Sequence, residues 1–241
     1  MLAEFGTPFF WTALMQIIGI NILLSGDNAV VIALASRSLP PEQRKWAILG
    51  GSGAAIVLRI IFSVLIVWLL AIPYLKLVGG LLLLYIGIKL LVPEEEAGED
   101  SVAAKSNLWG AIQTITIADA VMSLDNVVAI AAVAKDSMLL IILGLIISVP
   151  MIVFGSQLVL SILNRFPVLV IAGGGLLGWI AGEIIVSDEV VHTHIPFDIH
   201  TQELVARPLL AAFVVVVGLV LAKRAKAKHH APVDLAPEDK K

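Results

Sequence analysis

About seven stretches of this sequence, near residues 9–36, 46–72, 74–92, 108–134, 137–163, 167–187 and 206–222, stay apolar over the length of a bilayer-crossing helix. That property removes most folds from consideration. A helix needs about 20 residues to cross the roughly 30 Å hydrocarbon core, and lipid offers backbone N–H and C=O groups no partner, so each span must satisfy its own hydrogen bonds. The expectation is an all-α polytopic membrane protein. A single membrane domain covers residues 1–222, and a basic tail at 223–241 carries too little apolar surface to fold. With 59% hydrophobic and 15% charged residues, a soluble domain is excluded. The opening "MLAEFGTPFFW" has neither the basic region nor the small-residue site of a cleaved leader, so the first apolar segment is expected to remain. The chain contains no cysteine, which excludes disulfides and thiolate metal sites and leaves oxygen or imidazole for any metal chemistry. A net charge of −3 gives no general attraction to nucleic acid, so lipid is the expected surrounding, and self-assembly into a homo-oligomer stays open.

Basic residues orient the spans. With the N-terminus outside, Arg37, Arg44, Lys45, Lys105, Arg165, Lys223, Arg224, Lys226 and Lys228 fall inside, while Lys76, Lys135 and Arg207 fall near the outer span ends. That asymmetry predicts an N-out, C-in topology. It also makes "PEEEAGED" at 93–100 an inside loop, read as a solvated charge run.

The sequence repeats itself. "NILLSGDNAVVIALA" (21–35) aligns with "DAVMSLDNVVAIAAVA" (119–134), placing Asp27-Asn28 over Asp125-Asn126, and "VGGLLLLYIGIKLL" (78–91) aligns with "AGGGLLGWIAGEII" (172–185), placing Lys89 over Glu183. Two three-span repeats, 9–92 and 108–187, are followed by a final helix at 206–222. An odd number of spans per repeat inverts the second copy, and inverted repeats place substrate sites near the midplane.

Each aspartate of the Asp-Asn pairs lies ten residues before a basic residue, Arg37 or Lys135. At 1.5 Å per residue that is about 15 Å, half the hydrocarbon thickness, so Asp27 and Asp125 are expected to meet near the bilayer centre. Asn21, Ser25 and Asn28 form one polar helical stripe, and Asp119, Ser123 and Asn126 form its counterpart. Both aspartates fall about 100° off these stripes, so a helix break near Ser25-Gly26 or Ser123-Leu124 is expected to aim them inward. Buried charge at this depth costs at least about 2.5–3.5 kcal/mol and needs a partner, proton or ion. The cations within spans are Arg59 and Lys89, either of which would pair with an aspartate in a purely structural arrangement.

The candidate metal ligands are Asp27, Asn28, Asp119, Asp125 and Asn126, with Asn21, Ser25, Ser123 and Glu183 as accessory groups, Glu183 also as a proton acceptor. These are hard oxygen donors suited to Mg²⁺, Ca²⁺ or Mn²⁺ as cargo, and no resident cofactor is expected. Met122 is read as packing. The loop "SDEVVHTHIPFDIH" (187–200) gathers carboxylates and His192, His194 and His200, a set able to recruit a divalent ion, but it matches no helical zinc spacing and a solvated loop is the favoured reading. No nucleophile and base stand at helical spacing, so an enzyme is not expected.

"GINILLSGDNAVVIALA" together with "ADAVMSLDNVVAIAAVA" resembles the TerC family of integral membrane proteins, and in length the chain resembles its YjbE-type metal-transport branch. The resemblance covers about residues 9–222 and implies the fold of the wider LysE-type exporter superfamily. It also implies a role in manganese efflux, metalation of exported enzymes or tellurite resistance, in a bacterial inner membrane. The family's acidic motif falls on Asp27, Asn28, Asp125 and Asn126, with Asp119 at its second acidic position. The leading expectation is a secondary exporter of Mn²⁺ or a related ion. The alternatives are an exporter of a small organic cation or amino acid, which the scarcity of aromatics disfavours, and a non-transporting membrane scaffold.

Overall fold

The structure, a computed structural model, describes residues 7–92, 102–134 and 137–229. The acidic stretch 93–100, Lys135 and the tail from residue 230 lie outside the described residues. The described residues form helices α1 (Pro8–Leu24), α2 (Gly26–Ser36), α3 (Pro41–Leu70), α4 (Leu75–Leu91), α5 (Val102–Ala134), α6 (Met138–Arg165), α7 (Val168–Val186), α8 (Glu189–His194) and α9 (Ile199–His229), with no strand among them. The fold is all-α and polytopic. Among the described residues five stretches are long and apolar enough to cross a membrane, Pro41–Ile66, Asn107–Ala134, Met138–Arg165, Val168–Val186 and Ile199–Ala225, and α1 with α2 makes a sixth, against the seven or so expected.

Helix starts differ most from expectation at α3, which begins at Pro41 rather than 46, at α5, which begins at Val102 rather than 108, and at α9. The third expected span appears as α4, 17 residues or about 25 Å of helix, shorter than the hydrocarbon core. The last helix starts at Ile199 rather than 206 and continues to His229, so the start of the expected tail is helical. Its residues Ala222 to Lys228 are all Ala, Lys or Arg, which carry high intrinsic helix propensity.

The first span is broken where its sequence allows. α1 starts at Pro8 behind Thr7, whose hydroxyl accepts from the Phe10 N–H at 3.3 Å. It ends at Ser25 (φ −110°, ψ 9°), and α2 departs at 50°. α5, by contrast, runs unbroken through Ser123-Leu124. Leu124 is a strong helix former, and the second copy has no glycine where the first has Gly26. The break exposes carbonyls that lipid cannot satisfy, and Asn126 of α5 donates to the Leu24 carbonyl at 3.4 Å.

Packing pairs the two halves of the chain. α1 and α2 lie against α6, α3 lies against α5, and α4 lies against α7, while α2 touches α7 as α4 touches α5. Exchanging the first three spans for the next three maps this set of neighbours onto itself. α9 stands outside, packed on α7 and α4. Many large apolar side chains point outward, among them Leu23, Phe154 and Leu204. Trp11, Trp46 and Trp68 are exposed near helix ends, where an aromatic belt would sit.

Glycines set the closest approaches, as small residues do between membrane helices. A Cβ on Gly51 would meet Ile115 at 2.7 Å, and one on Gly174 would meet Leu91 at 2.7 Å. At Gly178 the obstacle is backbone, the Leu210 carbonyl oxygen at 2.5 Å, whereas a Cβ on Gly26 meets nothing within 4 Å. Gly178→Ala is therefore expected to destabilise by about 1–3 kcal/mol through overpacking of α7 on α9. Gly26→Ala should be tolerated or stabilise by about 0.4–1 kcal/mol. Thermal-inactivation midpoints in detergent compare them, and equal shifts would contradict this account of the α7–α9 contact.

Candidate functional site

Inside this apolar bundle lies one deep polar cluster, assembled from α1, α3, α5 and α6. Arg59 of α3 is 3% exposed and Asp119 of α5 is 7% exposed. The guanidinium donates Nε–H to Asp119 Oδ2 at 3.0 Å, and its Nη2 pairs with Asp119 Oδ1, a two-point contact that suits the planar fork. Nη1 turns the other way and donates to Asn21 Oδ1 at 2.6 Å and to Ser25 Oγ at 3.4 Å. Ser123 donates to Asp119 Oδ2 at 3.1 Å, and Ser25 donates to Asn21 Oδ1 at 3.3 Å. The Asn21 amide also donates to Ser148 of α6, which is fully buried. A cavity of about 20 Å³, room for about one water, opens between Asn21, Ser52, Arg59 and Asp119. The Ser52 hydroxyl on its wall is buried and has no hydrogen-bond partner.

The two polar stripes thus face each other through Asn21, Ser25, Asp119 and Ser123. The two Asp-Asn aspartates, expected to meet near the bilayer centre, take separate partners. Asp125 is exposed, its side chain 56% accessible, and pairs with Lys76 Nζ at 2.7 Å at the start of α4. Asp27 is half-buried in the first turn of α2, where its carboxylate accepts from the Asn28 N–H at 2.8 Å. It remains within electrostatic reach of Arg59 and Asp119. The physical reason is helical rotation: one residue off the stripe turns a side chain about 100° away, and α5 lacks the break that would turn Asp125 back. Asn126 is occupied at the α1 break, whereas Asn28 is 2% exposed with both amide atoms unpartnered. A buried amide without partners costs about 1–3 kcal/mol, which makes it a group available to a ligand.

Other candidates stand away from the cluster. Glu183 is half exposed and pairs with Arg207 of α9 at 3.2 Å, so its partner is a neighbouring helix rather than the centre. Arg207 also holds Glu203 at 2.6 Å. Met122 packs in the apolar core, as expected. Lys89 is exposed beside Arg37 at the far ends of α2 and α4. Among the described residues no group of three or more His, Asp and Glu side chains is arranged to hold a metal ion. In the 187–200 segment, His194 Nδ1 lies 2.7 Å from the Val190 carbonyl and His192 Nδ1 lies 3.0 Å from Gln202 Nε2. Asp198 caps α9, and the hydroxyl and N–H of Thr201 hold its carboxyl below the usual carboxylate range.

The sequence assigns Arg59 only a structural pairing and does not single out Ser52 or Ser148 as site groups. The available signal is hydroxyls in apolar runs, Ser52 and Ser63 in the second span and Ser148 and Ser156 in the fifth. Asp188, read as a loop carboxylate, is 4% exposed and fastens two helix starts, accepting from the Leu77 N–H at 3.2 Å and the Val190 N–H at 3.1 Å.

Comparison with known proteins agrees with this architecture. Residues 6–229 match the family model described as "Integral membrane protein TerC family". The chain is 45% identical over 177 residues to "Uncharacterized membrane protein YjbE" of Bacillus subtilis, covering 73% of this chain and 80% of that one. It is 28% identical to "Uncharacterized membrane protein YceF" of the same organism, over 72% of this chain and 70% of that one. It is 27% identical to "UPF0053 protein YegH" of Escherichia coli over 68% of this chain, but spans only 34% of that longer protein. No solved structure matches. A family match over nearly the whole described region, together with a relative of this identity and coverage, establishes that the chain belongs to the TerC family of integral membrane proteins.

Proposed function

We propose that the chain is a secondary transporter that exports a hard divalent cation across a bacterial inner membrane, with Mn²⁺ the leading cargo. The observation that carries this reading is the oxygen-rich cluster around Asp119, buried in an apolar bundle and built from the first two spans of both halves. Its carboxylate, amide and hydroxyl oxygens are donors for Mg²⁺, Ca²⁺ and Mn²⁺ alike, and the choice of Mn²⁺ rests on the family resemblance. The exchange-symmetric packing of the halves supports alternating access between inverted repeats, with the N-terminus outside and the C-terminus inside. Arg59 occupies the place of a cation on Asp119, so cargo must displace the guanidinium, and Asp119 becomes the group at which a proton would be exchanged for metal. Asp27 and the free amide of Asn28 supply the second set of donors.

A second reading, a non-transporting scaffold, draws on the same ion pair, because Arg59 neutralises Asp119 without any ion. Flux of Mn²⁺, Mg²⁺, Ca²⁺ and Fe²⁺ into proteoliposomes, with and without a pH gradient, separates the two. Saturable divalent flux is the expected result, and its absence for every ion would select the scaffold.

A further inference from the structure

The ion pair between Lys76 and Asp125 stands at the edge of a second, larger space. A cavity of about 540 Å³ opens between the end of α3, the start of α4 and the α7–α8 turn, lined by Lys76, Leu124, Asp188 and Glu189 among others. Asp125 follows Leu124 directly, and its half-exposed carboxylate is held by an ammonium that is itself only 21% exposed. We propose that Lys76 is a tethered competitor for the cargo cation at Asp125, covering that carboxylate until a divalent ion entering this vestibule displaces it. The inference rests on the transport reading above.

The backbone that carries Lys76 is held from two sides. Tyr74 adopts a left-handed conformation (φ 63°), unusual for a residue with a side chain and sustained only where the surroundings impose it. The buried Asp188 carboxylate ties the N–H of Leu77 to the α8 cap. The movable part is therefore the flexible Lys76 side chain, which meets Asp125 as a single point charge rather than through a two-point fork. An ion pair this exposed is weak, and a divalent ion brings twice the charge to the same oxygens. The buried Arg59–Asp119 pair is the opposite case, so the vestibule pair is the one that yields first. Among the described residues Asp27 has no ion pair to match it, and its carboxylate accepts a hydrogen bond from the Asn28 N–H.

The test uses the full chain in proteoliposomes. Lys76→Gln should lower the half-saturating Mn²⁺ concentration about two- to fivefold, the range an exposed ion pair spans. The change should fall on half-saturation more than on maximal rate, and Lys76→Arg should return it toward the original value. Because the sequence has no cysteine, a single Leu124→Cys reports the vestibule independently of transport. Its labelling by a small maleimide should rise with added Mn²⁺ and be already high in the Lys76→Gln background. Unchanged or weaker Mn²⁺ affinity in Lys76→Gln, or labelling indifferent to both Mn²⁺ and Lys76, would overturn the latch. Labelling that responds to both while no divalent ion crosses the membrane would support the latch as a binding device and overturn transport.

Discussion

Arg59→Met is expected to destabilise the protein by about 3–5 kcal/mol, because it strands the buried Asp119 carboxylate without its partner. Asp119→Asn should cost less. It leaves Arg59 charged but keeps an amide oxygen in place, with Asn21 and Ser25 still accepting from Nη1. The double variant, Arg59→Met with Asp119→Asn, should recover much of the lost stability, since no uncompensated charge remains. Flux should not recover. Asp119→Asn alone and the double variant are both expected to reduce divalent transport to background, because the carboxylate that Arg59 holds at the centre of the cluster is gone. Thermal-inactivation midpoints and proteoliposome flux on the same preparations give both readouts. A double variant that is stable and still transports would assign the pair to helix packing alone and move the cargo site elsewhere.

Asp27→Asn should also abolish flux, but at little cost in stability. The hydrogen bond Asp27 accepts from the Asn28 N–H at 2.8 Å can be accepted equally by an amide oxygen, so the start of α2 should keep its shape. What disappears is one negative charge within reach of Asp119. A doubly charged ion replacing Arg59 needs two carboxylates to balance it, and Asp27 is the second. Asp125→Asn is expected to act differently. Its pair with Lys76 is half exposed and worth at most about 1 kcal/mol, so stability should barely move and the loss should appear chiefly as weaker apparent affinity. Equal and complete loss in both variants would instead support a cargo site shared by the two Asp-Asn pairs. Full flux in Asp27→Asn would remove α2 from the path.

The contrast between these aspartates shows how far local pattern reaches. The stripe of Asn21 and Ser25 facing that of Asp119 and Ser123 followed from spacing alone, because a polar row on an apolar helix has to face protein rather than lipid. The break at Ser25-Gly26 was also legible, since a polar residue followed by glycine weakens a helix there. The placing of Asp125 was not. A shift of one residue turns a side chain through about 100°, and only the tilt of α5 against α3 and α4 decides what it then meets.

Apolar runs of bilayer length dictate an all-helical membrane protein, because lipid admits helices that close their own hydrogen bonds and little else. Sequence alone also shows acids and amides recurring at matching places in two similar halves. Tertiary structure decided which charges are partners. Arg59 reaches Asn21 and Asp119 across 38 and 60 residues of chain, Lys76 reaches Asp125 across 49, and Arg207 turns Glu183 toward α9. These pairings depend on helix rotation and on the close approaches that Gly51, Gly174 and Gly178 permit, and those are properties of packed helix pairs that no single span encodes.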